Sequence, residues 1–203
     1  MARHKNGLCI EYYEKKKNDI LNLFLRLKPS STLAKLITQY QCIQQNYLND
    51  DQTFREIFTN FYGLNNDKHL KIHKSFFFGL LHHLSFSNDD SIELYKYAIK
   101  AIGKKTKTDE VSYATKLVHT IDNTFPIVDK HVKNFFGFST TYKFTNEHIN
   151  VLSQFYKKIV DEIKSKKKTA NYFEKFRSIY QVDGRISDVK IIDFLILEQR
   201  RKI

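Results

Sequence analysis

The chain has 203 residues, 41% of them apolar, with 17 Phe and 12 Tyr but no Trp; a chain of that size and content removes roughly 70% of its unfolded surface from water, which excludes a disordered polymer. Lys and Arg number 34 against 22 Asp and Glu, a formal charge of +12, and a field of that sign draws polyanions, nucleic acid first among them. Six Gly and two Pro leave little punctuation for turns, which argues against a many-stranded sandwich.

The N-terminal stretch MARHKNGLCIEYYEKKK lacks the apolar run of a secretory signal. No segment reaches the ~20 apolar residues a bilayer-spanning helix needs. Cys9 and Cys42 form neither a metal-ligand spacing nor a disulfide framework. A soluble, cytoplasmic protein is expected, with no membrane partner.

Apolar residues recur at helical spacing along almost the whole chain. In NDILNLFLRL, the residues Ile20, Leu21, Phe24, Leu25 and Leu27 share one face, and Pro29 stops the helix. Ser31 or Thr32 is the expected cap of the next, with Leu33, Leu36, Ile37, Tyr40 and Ile43 along one side. DQTFREIFTNFYG sets Phe54, Ile57, Phe58 and Phe61 in register and ends at Gly63. DKHLKIHKSFFFGLLHHLSF is apolar nearly all round at Phe76–Phe78, so it reads as the most buried element. SNDDSIELYKYAIKAIG is capped within Ser87–Asp90 and predicted to end at Gly103. After the polar KKTKTDE come EVSYATKLVHTID, the short DKHVKNFFGF, a long helix beginning at Thr145 or Asn146, TANYFEKFRSIYQ and RISDVKIIDFLILEQRRK. The prediction is a single all-α domain over 1–203, with about ten helices.

The join before DKHVKNFF carries the chemistry. Pro126 disfavours helical backbone at Phe125, so TFPIV is extended. Asp129 then stands where the first free N–H groups of a helix point, and the helix dipole favours its negative charge there. A plain N-cap accounts for this placement, although Val132 sits where a capping box would have Glu or Gln. A catalytic carboxylate accounts for it too.

VDKHV, with the preceding helix EVSYATKLVHTID, resembles the V-D-T-H-V stretch of the helix-hairpin-helix base-excision DNA glycosylases. The wider pattern, SYATKLVHTIDNTFPIVDKHV followed by SDVKIIDFLIL, looks still more like an uncharacterised bacterial branch that is similar to 8-oxoguanine glycosylases. The specific part of the likeness covers about residues 103–137, and Ala114 matches the alanine that opens the family's motif helix. The resemblance implies a helix-hairpin-helix glycosylase-like fold, DNA as partner, and Asp129 as the catalytic carboxylate. That carboxylate stabilises positive charge on the sugar, or activates a nucleophile, while the base leaves. The lysine that bifunctional members use as a Schiff-base nucleophile falls near Ser112 here, so the implied activity is monofunctional base removal. Lys116, one turn further on, is a lesser candidate. Where the family carries L-P-G-V-G in its hairpin, this chain has GKKTKTDE, and lysine side chains stand in for the amide cradle as point charges.

The nucleic-acid-binding residues expected on this basis are Lys104, Lys105, Lys107, Lys130 and Lys133, with KSKKKT at 164–169 as a further basic block. No cofactor and no metal are expected. His69 and His73 share a helical face at i, i+4, but Lys71 and Lys74 repel a cation there. His119 and His131 flank the Asp129 loop, and a core histidine bonded to backbone is the ordinary reading of each. The rival to an enzyme is a non-catalytic nucleic-acid-binding protein of the same fold. A third class is an interaction module whose basic face takes RNA or an acidic protein.

Overall fold

The computed structural model describes residues 10–64, 68–108, 110–139 and 141–199. Among them are ten helices and no strand: α1 (Ile10–Leu25), α2 (Ser31–Asn46), α3 (Gln52–Phe61), α4 (Lys68–Ser85), α5 (Ser91–Thr106), α6 (Val111–Ile121), α7 (Lys130–Phe135), α8 (Asn146–Ser165), α9 (Tyr172–Tyr180) and α10 (Asp188–Gln199). The fold is all-α, as the apolar spacing predicted. None of the described helices is long and apolar enough to cross a membrane.

Local chemistry sets the boundaries. Ser30, one residue before the expected caps, starts α2 by accepting from the Leu33 N–H. Asp51 and Asp90 do the same for α3 and α5. Thr145 closes a reciprocal capping box with His148 at the head of α8. At the end of α3, Gly63 takes a φ of +63°, its N–H donates to Asn60 O (3.2 Å), and Leu64 N–H reaches back to Thr59 O (2.8 Å). That paired return satisfies the last carbonyls, and a left-handed residue at its centre favours glycine. Gly103 does not end α5. The helix runs one turn further to Thr106, and Lys107 adopts the left-handed conformation at φ +63° while its N–H donates to Gly103 O. Lys104 and Lys105 are therefore helical, in the last turn of α5.

The core is one contiguous apolar cluster drawn from all ten helices and the segments between them. Among the described side chains its most enclosed element is α10, not α4. Every side chain from Asp188 to Ile196 is buried, whereas α4 turns Gly79, His82 and His83 to solvent. Position explains the difference, because α10 packs against α1, α7, α8 and α9 at once. A helix touched on several sides must be apolar around its circumference.

Hydrogen bonds from neighbouring helices hold the extended stretch between α6 and α7. Asp122 Oδ1 accepts from both Thr124 N–H (2.9 Å) and its hydroxyl (2.6 Å). His119 Nδ1 donates to Phe125 O (2.5 Å), and Thr115 Oγ1 accepts from Val128 N–H (3.1 Å). Ser187 Oγ donates to Asn123 O and accepts from Lys190 N–H (3.1 Å), which ties the head of α10 to the same stretch. Asp129 and α10 are thus positioned by one set of bonds.

Candidate active site

Asp129 begins α7 as its cap. Its Oδ1 accepts from His131 N–H (2.8 Å) and Val132 N–H (3.0 Å), and Oδ2 is left out of the cap. One carboxylate oxygen fixes the helix start. The helix is only six residues long, and its far end turns through Gly137 at φ +68°. From α1, Tyr12 donates to Phe136 O and Lys16 to Phe135 O, which satisfies carbonyls that a short helix leaves open.

The half-buried Asp129 lies on the wall of a cleft of about 540 Å³. That volume is in the usual range for a small-ligand site. Five segments build it, α2 through Leu36 among them. The tail of α3 supplies Phe61, Tyr62, Gly63 and Leu64, and α6 supplies Ser112, Tyr113 and Lys116. The Asp129 segment adds Ile127, Lys130 and His131. From α10 come Lys190, Asp193, Phe194 and Leu197, whose i, i+3, i+4, i+7 spacing is one helical stripe. The cleft is aromatic-walled with charge at its base.

That charge is unusual in its burial. Lys190 is 3% exposed, and its Nζ lies over the rings of Tyr40 (4.5 Å), Phe194 (5.0 Å), Phe61 (5.2 Å) and Tyr62 (5.8 Å). Cation–π attraction offsets part of the cost of removing the ammonium from water. Burial still lowers its pKa, with nearby Lys116 adding to the effect and Asp193 and Asp129 opposing it. Asp193 is 9% exposed; its Oδ1 accepts from the Tyr156 hydroxyl (3.2 Å), and its Oδ2 has no hydrogen-bond partner among the described residues. Burial raises the pKa of this carboxyl, Lys190 opposes the rise, and Asp129 reinforces it. No Lys190–Asp193 contact within 4 Å occurs among the described ion pairs.

The two flanking histidines differ in role. His119 is fully buried, and because its Nδ1 donates to Phe125 O, Nε2 is left to accept from the Tyr40 hydroxyl (2.9 Å). Burial and the Lys190 charge hold its pKa well below the ordinary value, against the backbone bond. His119 is therefore the neutral core histidine the sequence suggested. His131 lines the cleft.

The expected nucleic-acid residues divide into two groups. Lys104, Lys105 and Lys107 are exposed at the α5–α6 turn, and Lys105 reaches over the Phe76 ring (5.9 Å). The chain leaves that turn through Glu110 and Ser112, which line the cleft. Lys130 is exposed and lines the cleft itself. Lys133 faces the next loop, donating to Tyr142 O (3.1 Å) over the Phe144 ring (5.5 Å). In the basic block at 164–169, Lys164 pairs with Asp188 at the head of α10 (2.6 Å). The side chains of His69 and His73, and Cys9, lie outside the described residues. Among the described residues, no three His, Cys, Asp or Glu groups gather as metal ligands would.

Sequence reasoning singled out Asp129 but passed over Lys190 and Asp193. Lys116, the lesser candidate, proves to be buried, with its Nζ over Tyr62 (5.5 Å) and Tyr113 (5.6 Å). The available signal was VKIIDFLIL, where two charges three residues apart interrupt an otherwise apolar run. No protein-family model, curated protein or solved structure matches the chain.

Proposed function

We propose that this chain is a DNA-binding protein of the helix-hairpin-helix glycosylase type, which removes a damaged or modified base by cleaving its N-glycosidic bond with Asp129. The observation that carries this reading is the aromatic-walled cleft opening beside that carboxylate. An enzyme acting on a base in duplex DNA extrudes the nucleotide and stacks the base between flat side chains. The half-buried Phe61 and Tyr62 supply such surfaces. Breaking the bond develops oxocarbenium character at the sugar, and Asp129, with Oδ2 outside the helix cap, stabilises it electrostatically. Lys104, Lys105, Lys107 and Lys130 give phosphate contacts near the rim, which supply affinity and salt dependence rather than sequence choice.

A second reading, a binder without catalysis, draws support from the α5–α6 turn. It closes on Lys107 in place of a glycine-rich amide cradle, and the Asp129 cap alone explains that residue's position. Base release from a panel of modified duplexes, wild type beside Asp129→Asn, separates the two. Binding is followed at two salt concentrations. Release lost in the variant supports the enzyme; salt-sensitive binding without release supports the binder. Neither binding nor release removes DNA as the partner.

A further inference from the structure

The cleft holds two carboxylates in unlike surroundings. Asp129 is half-buried at the start of α7, where its Oδ1 accepts from two backbone N–H groups. Asp193, in the middle of α10, lines the same cleft, buried, with one oxygen held by Tyr156 and the other unpartnered among the described residues. An ionised carboxylate with a bare oxygen in the interior is costly, whereas the neutral acid carries a far smaller penalty. The charged and titratable groups around it come from every side: Lys190 on its own helix, Asp129 before α7, Tyr156 on α8, Tyr40 on α2 and Tyr62 after α3. Of these, Lys190 is a cation able to stabilise the carboxylate left behind when Asp193 gives up a proton. A buried carboxyl beside a more exposed one is the usual arrangement for dividing acid and charge-stabilising work.

We infer that Asp193 is the general acid that protonates the departing base, while Asp129 faces the sugar. The inference rests on the glycosylase reading above. The Asp193 carboxyl proton passes to a ring nitrogen of a purine or to the carbonyl oxygen of a pyrimidine. The bond between C1′ and the base nitrogen breaks, and its electron pair stays on the base. The positive charge left on the sugar is stabilised by Asp129. Water adds at C1′, and the proton it loses restores Asp193. One water is consumed, and the free base and an abasic sugar are released.

Leaving-group chemistry tests this directly. 7-Methylguanine already carries a positive charge and departs without protonation, whereas 8-oxoguanine, uracil and hypoxanthine are neutral. Single-turnover release is measured from duplexes containing each, for wild type, Asp193→Asn and Asp129→Asn, with unfolding of each variant followed by circular dichroism. Asp193→Asn is expected to slow release of whichever neutral base the wild type removes by about 100-fold or more, and to leave 7-methylguanine within about threefold. Asp129→Asn slows both. An equal loss on charged and neutral bases in Asp193→Asn overturns the acid role and leaves the glycosylase reading standing. A wild type that releases no base at all overturns both. A readout independent of any variant is the wild-type rate on a neutral base between about pH 5 and about pH 9, which must fall as the acid ionises; a flat profile overturns the assignment.

Discussion

Asp129 and Asp193 line one cleft, yet the chain holds them by different means. Asp129 is held locally: the residues that follow it make a helix, and the first N–H groups of that helix fix its carboxylate. Asp193 is held by the whole molecule. Its neighbours come from α2, α8, the end of α3 and the stretch before α7, and its own helix offers it only Lys190. Burial strains the Asp193 carboxylate towards neutrality.

The sharpest way to break that contrast is Asp129→Asn. Asparagine caps helices as well as aspartate does, so the unfolding midpoint should move little while base release falls at least about 100-fold. If thermal stability falls as well, Asp129 contributes more to the fold than a cap.

The converse experiment is on α10. Replacing Lys190 and Asp193 together, by Met and Leu, removes two buried ionisable groups at little change in volume and should raise the unfolding free energy by ~1–4 kcal/mol near neutral pH. The gain has a predictable pH dependence. Asp193, with its pKa raised, contributes stability that is full below its unfolded value and lost as pH rises through the native one. Lys190, with its pKa lowered, contributes stability present above its unfolded value and lost as pH falls through the native one. The pair is therefore least favourable between the two, and the advantage of the double variant in urea titrations should peak near neutrality and shrink on both sides. An advantage independent of pH would mean that neither group shifts.

A smaller effect is expected at Thr115→Val, which keeps the shape but removes the acceptor of the buried Val128 N–H. It should cost about 1–3 kcal/mol in chemical denaturation. Because that bond helps to hold the Asp129 segment, release should fall as well. Smallest in free energy is the Lys104, Lys105 and Lys107 triple change to Gln. It should flatten the log–log salt dependence of duplex binding by up to about 0.9 for each phosphate no longer neutralised, with no change in folding.

The sequence made the first carboxylate legible and hid the second for physical reasons. FPIVD announces its own geometry, because a proline forces the extended backbone and an aspartate after it meets a helix start. Gly63 and Pro29 also did what local rules require of them. Gly103 did not. Lys107 accepted the left-handed position, and tertiary packing of α5 against α4 and α6 carried the helix past the residue that local preference chose. FFF in α4 and IIDFLIL in α10 look alike as strings, and only the arrangement of neighbours reveals which is enclosed. The motif around Asp129 ends at about residue 137, whereas part of the cleft wall is built from α10, beyond that range.

The enclosure of α10 also bears on how the cleft fluctuates. Helices packed on several sides lose their amide protons to solvent only when the whole structure opens, whereas termini of helices joined by exposed turns exchange through local opening. Amides of residues 191–196 should therefore be among the slowest to exchange, and those around Lys107 among the fastest. The wall of the cleft that α10 builds is then its least yielding part.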